Sequence, residues 1–240
     1  CSAVSPARLT VPSASSEARF MRFKNHARQQ RCPIAVYVDF EALTVPVSSC
    51  EPSPSDSFLQ AYQLHETFSV GVQVVCDFDE ARSQRIELRG RDVANQLIDH
   101  LADLAKEYDD LLKHPTPLLM REEDEVAFQN SDACHICKGP FLPNSARVRD
   151  HDHFTGLCRG AAHQDCNVNF RAPKHIPVLM HNGSGYDWHF LLQAWAESSY
   201  QKLSVIPHNH ERFVSVSQRI GGVELRFLDS FKFLGASLDG

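Results

Sequence analysis

The chain has 240 residues, 42% hydrophobic and 22% charged, enough to bury one large or two small cores. No apolar run approaches the roughly 20 residues of a membrane helix, and the opening residues do not read as a secretory signal. The net charge of −6 argues against a non-specific nucleic-acid binder. The charge is uneven, however: Asp77–Glu125 holds 14 acidic and 7 basic residues, residues 18–31 hold five basic and no acidic ones, and Ser131–His175 holds six basic and four acidic ones. Local basic faces are therefore available to phosphates.

Residues 1–17, rich in Ser, Ala and Pro, are expected to be a disordered tail. Cys1 and the closing Leu238-Asp239-Gly240 read as cut ends of a longer frame. Pro33–Phe40 is a short apolar run ending in acid, as in a buried strand, and Thr44–Ser57 reads as a loop. Phe68–Cys76 and Arg85–Leu88 suit strands. Val93–Leu112 has a helical apolar stripe of Val93, Leu97, Leu101, Leu104, Tyr108 and Leu111, with Asp92 as the expected N-cap. Pro115 and Pro117 end it, and Glu122–Gln129 suits a short helix.

The composition then changes. Residues 131–171 are dense in Cys, His, Asp and Arg and lack apolar periodicity, so they need a metal to fold. From Ile176 the globular pattern returns, with a strand at 176–181, a helix at 186–196 and strands near 203–206, 213–216 and 223–228. The order suits an α/β domain interrupted by a small module.

Within that module Cys134-x-x-Cys137 and His163-x-x-Cys166 are two ligand pairs with 25 residues between them. Each pair on a tight turn presents two ligands to one ion, and two pairs complete a zinc tetrahedron. Cys158 has no spaced partner, and His135 is expected to be a bystander inside the first turn. Between the pairs lies Arg149-Asp150-His151-Asp152-His153, and Asn167 follows the last ligand. A carboxylate and an amide oxygen that converge can hold a hard cation, while a neighbouring His takes a proton from water attacking a phosphodiester. The alternative is a charged loop decorating a zinc ribbon.

The stretch CHICKGPF…VRDHDHFTGLCRGAAHQDCNVNFR resembles the recombination endonuclease VII branch of the HNH (ββα-metal) nucleases. The resemblance implies a structural zinc on Cys134, Cys137, His163 and Cys166. It further implies that Asp150 and Asn167 bind catalytic Mg²⁺, that His151 is the general base and that His153 assists at the phosphate. Arg149 or Arg159 is expected to meet phosphate. His163 stands where the phage junction-resolving enzyme has a cysteine, and that enzyme's dimerisation helices are not recognisable here.

Two further acidic motifs flank the module. Asp39-x-Glu41 ends one strand, and Asp187 follows the His181-Asn182-Gly183-Ser184-Gly185-Tyr186 turn after another. Carboxylates brought together at strand ends can hold two divalent ions for phosphodiester hydrolysis, although surface acids are the commoner explanation of such motifs. FKNHARQQRCPIAVYVDFEAL, PKHIPVLMHNGSGYDWHFLL and LRFLDSFKFLGASLD resemble the 3′–5′ exonuclease domain of protein-primed family B DNA polymerases. The group most like it is encoded by self-synthesising transposons and related viruses, where an endonuclease VII-like module interrupts that domain.

This second resemblance implies a ribonuclease H-like α/β fold built from residues 18–130 and 172–240 around an insert at 131–171. It implies that Asp39, Glu41 and Asp187 bind Mg²⁺ or Mn²⁺, and that Asn182 and Tyr186 contact single-stranded 3′ ends. DNA is the expected partner, with a terminal protein primer for the full-length parent and no membrane. The expected location is intracellular, nuclear or viral. The third exonuclease motif and the polymerase site are expected beyond Leu238, so exonuclease turnover by this chain is expected to be weak. Rival expectations are a non-catalytic zinc module that grips DNA and a decayed transposon-derived fragment.

Overall fold

The computed structural model describes residues 29–47, 63–143, 145–200, 202–209 and 213–236, together with residues 11, 13, 15, 19, 20 and 25. The expected tail at 1–17 and the basic residues Arg22, Lys24 and Arg28 lie wholly or largely outside them.

The strands are β1 (Ile34–Pro46), β2 (Gln63–Cys76), β3 (Gln84–Arg89), β4 (Arg147–His151), β5 (Cys158–His163), β6 (His175–Met180), β7 (Leu203–Pro207), β8 (Phe213–Ile220) and β9 (Val223–Asp229). The helices are α1 (Val93–Lys113), α2 (Glu122–Gln129), α3 (Gln164–Asn169) and α4 (Asp187–Glu197). Seven strands form one mixed sheet in the order β3-β2-β1-β6-β9-β8-β7. β1, β6 and β9 run parallel at its centre, and β2 and β8 run antiparallel to their neighbours. β4 and β5 form a separate antiparallel pair.

Alternation along the strands decides which face is covered. Ile34, Val36, Val38 and Phe40 of β1, Val70, Val72 and Val74 of β2, and Val223, Leu225 and Phe227 of β9 are buried in one core with Leu97 and Leu101 of α1 and Trp188, Leu191 and Trp195 of α4. The opposite parity of β1 leaves Tyr37, Asp39 and Glu41 exposed. They line an open groove of about 770 Å³ on the uncovered face, together with His181 and Ser230. In the core Trp195 Nε1 donates to Gln218 Oε1 at 3.2 Å, and Gln218 Nε2 donates to the Tyr200 carbonyl at 3.0 Å, whereas Trp188 Nε1 has no partner among the described residues.

Two local expectations change. Thr44–Pro46 extends β1 instead of opening a loop, because it pairs with Gln63–His65 beyond a bulge at Glu41/Ala42. Residues 48–57 of the expected loop lie outside the described residues. Asp92 stands at the N-cap of α1 but makes no capping bond, since its carboxylate takes the Asn95 side-chain amide at 2.6 Å.

The small sheet is fastened to the large one by an aromatic contact. Phe154, between β4 and β5, stacks on Phe78 with centroids 4.4 Å apart and lies 5.9 Å from Tyr108 of α1. The Tyr108 hydroxyl donates to the Pro173 carbonyl at 2.8 Å, which ties α1 to the residues that lead into β6. Burial raises the Tyr108 phenol far above its ordinary pKa, so it stays a donor.

Candidate functional site

The zinc-type ligands converge. One ligand atom each from Cys134, Cys137, His163 and Cys166 lies within 4.8 Å of every other. That fits a tetrahedron with Zn–S near 2.3 Å and Zn–N near 2.1 Å. The first turn is built for it: Lys138 N–H donates to the Cys134 carbonyl and Cys134 N–H to the Gly139 carbonyl, both at 2.9 Å. The Lys138 backbone is left-handed, which closes the turn.

His163 Nδ1 faces the sulfurs of Cys137 and Cys166 at 3.5 and 3.9 Å, while Nε2 lies 3.3 Å from the Pro140 carbonyl. A ring that donates from Nε2 to a carbonyl presents Nδ1 as the ligand. Burial raises the Cys134 thiol, but backbone N–H groups of Cys137, His163 and Ile136 outweigh it and hold the pKa down to about 6. Burial and the neighbouring Cys137 and Cys134 push Cys166 up to about 12. Three thiols this close ionise together only with a cation between them, so the donor set fits zinc.

The expected nuclease residues of the module are distributed as follows. Asp150, on β4, is 1% exposed. Its Oδ2 accepts from His135 Nε2 and Arg159 Nε, both at 2.8 Å, and its Oδ1 accepts from the second arm of Arg159 at 3.0 Å. Burial raises its pKa, and the His135 and Arg159 hydrogen bonds more than offset this, so it is held below the usual carboxylate value. His135 stays outside the zinc-type cluster, as expected, but it has a role as partner of Asp150, and Arg159 is also engaged with the acid. Arg149 is engaged as well: it forms a two-pronged pair with Glu125 of α2 and lies 4.2 Å over the Phe128 ring.

His151 and His153 lie with ring centroids 4.9 Å apart. Burial first, then the charges of His151 and Arg159, lower the His153 pKa. Asn167 is half-buried on α3 beside Cys166 and makes no hydrogen bond to Asp150, His151 or His153 among the described residues.

A second acidic site forms at the ends of the central parallel strands, where ligands gather in open α/β sheets. Tyr37 of β1 pairs with Leu179 of β6, which brings Asp39 level with the first residues after β6. Met180 of β6 pairs with Asp229 of β9, which brings Asp229 to the same level. The turn after β6 starts at Asn182, whose backbone is left-handed, a conformation Asn tolerates better than most residues. Gly183 follows because a Cβ there would sit 2.7 Å from Trp188 Nε1 and 2.8 Å from Met180 Cβ.

This turn delivers Asp187 to the start of α4, 3% exposed and with no hydrogen bond to its carboxyl among the described residues. Burial, then the charges of Asp39, Asp229 and Glu41, raise its pKa to about 7. Tyr186 is fixed beside it, its hydroxyl 2.7 Å from His65 Nδ1 and its ring edge-on to Phe190. Unlike the Cys/His set, these carboxylates do not close into a tight ligand shell; among the described residues only the Cys/His group does.

Asp229 is the member that sequence reasoning missed. It is buried, accepts from the Ser184 backbone N–H at 3.2 Å and from the Ser184 hydroxyl, and caps the turn at 230–232 through Phe231 N–H at 3.0 Å. The available signal was parity: Val223, Leu225 and Phe227 mark the buried face of β9, and Asp229 continues it.

The recombination endonuclease VII family model matches residues 112–177. This span contains the four zinc-type ligands and the Asp150–His153 run, so these residues form an endonuclease VII-like module of the nuclease and DNA-processing class. The match begins before 131, in agreement with the packing of Arg147 and Arg149 of β4 on Phe128 of α2. No curated protein and no solved structure matches the chain.

Proposed function

We propose that this chain is the metal-dependent nuclease region of a protein-primed DNA polymerase: a ribonuclease H-like 3′–5′ exonuclease fold carrying an endonuclease VII-like module between α1 and β6. The observation that carries the reading is Asp187, an almost fully buried residue whose carboxyl has no hydrogen bond among the described residues and is pressed by Asp39, Asp229 and Glu41. Like charges are gathered this way where a divalent cation offsets them. The sheet supports the same reading, since in β3-β2-β1-β6-β9 only β2 is reversed.

Asp39, Glu41 and Asp187 would hold Mg²⁺ or Mn²⁺, which supplies the charge that polarises the phosphate and the attacking water. The chain's own residues do the positioning. The Tyr186 hydroxyl, held near His65, stands beside the acids, and Asn182 opens the turn that sets both. The substrate in this reading is the single-stranded 3′ end of DNA, and a terminal protein primer would be a partner of the parent polymerase.

The test is digestion of a 5′-labelled single strand by the purified chain with Mn²⁺. A ladder growing from the 3′ end that disappears in Asp39→Ala and Asp187→Ala is expected. Digestion unchanged by either substitution would sink the proposal.

For the inserted module one observation favours a second reading. Both oxygens of Asp150 already accept from Arg159, and one also from His135, so the module would grip DNA through its zinc-held surface without cutting it. Nicking of supercoiled plasmid that is lost in His151→Ala would select the catalytic reading, with Asp150 and Asn167 as the Mg²⁺ ligands and His151 as base. Plasmid retardation without nicking would select the binding one.

A further inference from the structure

We infer that His135, inside the first zinc-binding turn, is a positioning residue that fixes the carboxylate plane of Asp150, so that the zinc centre sets the geometry of the module's acid. The inference rests on the catalytic reading of the module, in which Asp150 binds a cation; in the DNA-gripping reading the same contacts fix the acid but no cation joins it.

The geometry is specific. His135 is flanked in sequence by the ligands Cys134 and Cys137, and its backbone N–H donates to the Ala161 carbonyl of β5 at 2.9 Å. The turn therefore cannot shift without moving the ring. The ring crosses β5 at Gly160, where a Cβ would meet His135 Cβ at 3.4 Å and the backbone has φ +134°. The positive φ favours glycine at this position, and a Cβ there would only touch the imidazole. The ring stands at right angles to Phe170 with centroids 6.1 Å apart, and the Phe170 ring also lies 4.9 Å from the Arg159 guanidinium.

His135 Nε2 then donates to Asp150 Oδ2, where Arg159 Nε also donates, both at 2.8 Å. Two donors on one oxygen, from two directions, fix the rotation of the carboxyl group. They leave Oδ1, which takes a single bond from Arg159, as the oxygen with lone-pair capacity for a cation. Outer partners of this kind typically govern metal affinity by about 10- to 100-fold.

The experiment uses the full zinc-loaded chain with Asp39→Asn and Asp187→Asn in the background, which silences the other acidic site. Three quantities are read for the parent, His135→Ala, His135→Gln and Asp150→Asn: zinc per chain, Mn²⁺ affinity by electron paramagnetic resonance, and the imidazole N–H resonance of His135 in ¹⁵N-labelled protein. The expected result is full zinc in all four, since no ligand is touched. A protected His135 Nε2–H should appear in the parent and disappear in Asp150→Asn. Mn²⁺ affinity should fall about tenfold in His135→Ala, with most of it restored in His135→Gln, whose amide can donate in place of the ring.

Unchanged Mn²⁺ affinity in His135→Ala, or no protected resonance in the parent, overturns the positioning role. Loss of zinc in His135→Ala overturns it as well, because His135 would then be part of the zinc turn's own stability. If the protected resonance is present and depends on Asp150, but no variant binds Mn²⁺, the positioning contact stands and the cation reading of Asp150 fails.

Discussion

Asp187 keeps its proton to a pH at which an exposed aspartate would long have lost it. The shift to about 7 has a consequence for stability whose sign is opposite to that of a salt-bridged acid. An acid with a raised folded pKa costs nothing below its unfolded value near 4. The cost grows as pH rises and is complete above about 7, where it reaches on the order of 4 kcal/mol. Without added divalent cation, Asp187→Asn should therefore be several kcal/mol more stable than the parent at pH 8 and equal to it at pH 4. Urea unfolding at the two values checks this, and an equal gain at both would show that the carboxyl is not the strained group. At pH 8, Mg²⁺ should raise the melting temperature of the parent but not of the variant.

The residues whose roles could be read directly from sequence were those with short, rigid spacing. Cys134-x-x-Cys137 and His163-x-x-Cys166 announce a shared ion because two-residue turns leave few other geometries. Asp229 and His135 could not be read that way. Asp229 meets Ser184 across a sequence distance of 45 residues, and His135 meets Asp150 through a β5 bulge that no local pattern encodes.

Among the elements, the connection between β4 and β5 has the most to lose. Phe154 leaves the module and stacks between Phe78 and Tyr108, so it contributes to the core of a domain it does not belong to in sequence. Phe154→Ala should lower the unfolding free energy of the sheet domain by about 3 kcal/mol. It should leave zinc content unchanged, because the ligands lie at the other end of β4 and β5. Chemical denaturation with parallel zinc assay distinguishes this from loss of the module itself, which would release zinc too.

Long amphipathic elements were legible. α1 and β2 follow from the stripe and the β-branched run; α1 ends one residue past its expected limit, whereas β2 begins earlier than expected, at Gln63. β4, β5 and α3 left no periodic trace, since each has six residues or fewer and a metal turn in place of a core. The end of β1 was misread because Pro and Ser composition suggested a loop, whereas pairing with Gln63–His65 decides the matter.

At the scale of the whole molecule the two sheets should part company when zinc is removed. Among the described residues the module's own cluster buries only Cys134, Ile136 and Ala162, too little apolar surface for the small sheet to persist alone. Chelation should abolish amide protection in β4, β5 and α3 and spare β1, β6 and β9. Hydrogen exchange before and after chelation measures this, and uniform loss across both sheets would show that they fold as one unit. The mixed α/β class and the presence of a Cys/His module were legible in the change of composition after residue 130. The strand order was not, because β1 pairs with a strand about 140 residues away, and sequence separation carries no record of such pairing.

The hydrogen bond from Tyr108 to Pro173 has a further consequence. It brings the chain entering the module back beside the chain leaving it, so the host sheet sees the insert as a loop whose two feet almost touch. Such a socket asks of its occupant mainly an apolar group to cover Phe78 and Tyr108. Residues 116–171 could be exchanged for a few-residue turn, with a small apolar side chain supplied over Phe78 to close the gap left by Phe154, and β1, β6 and β9 would still find their register.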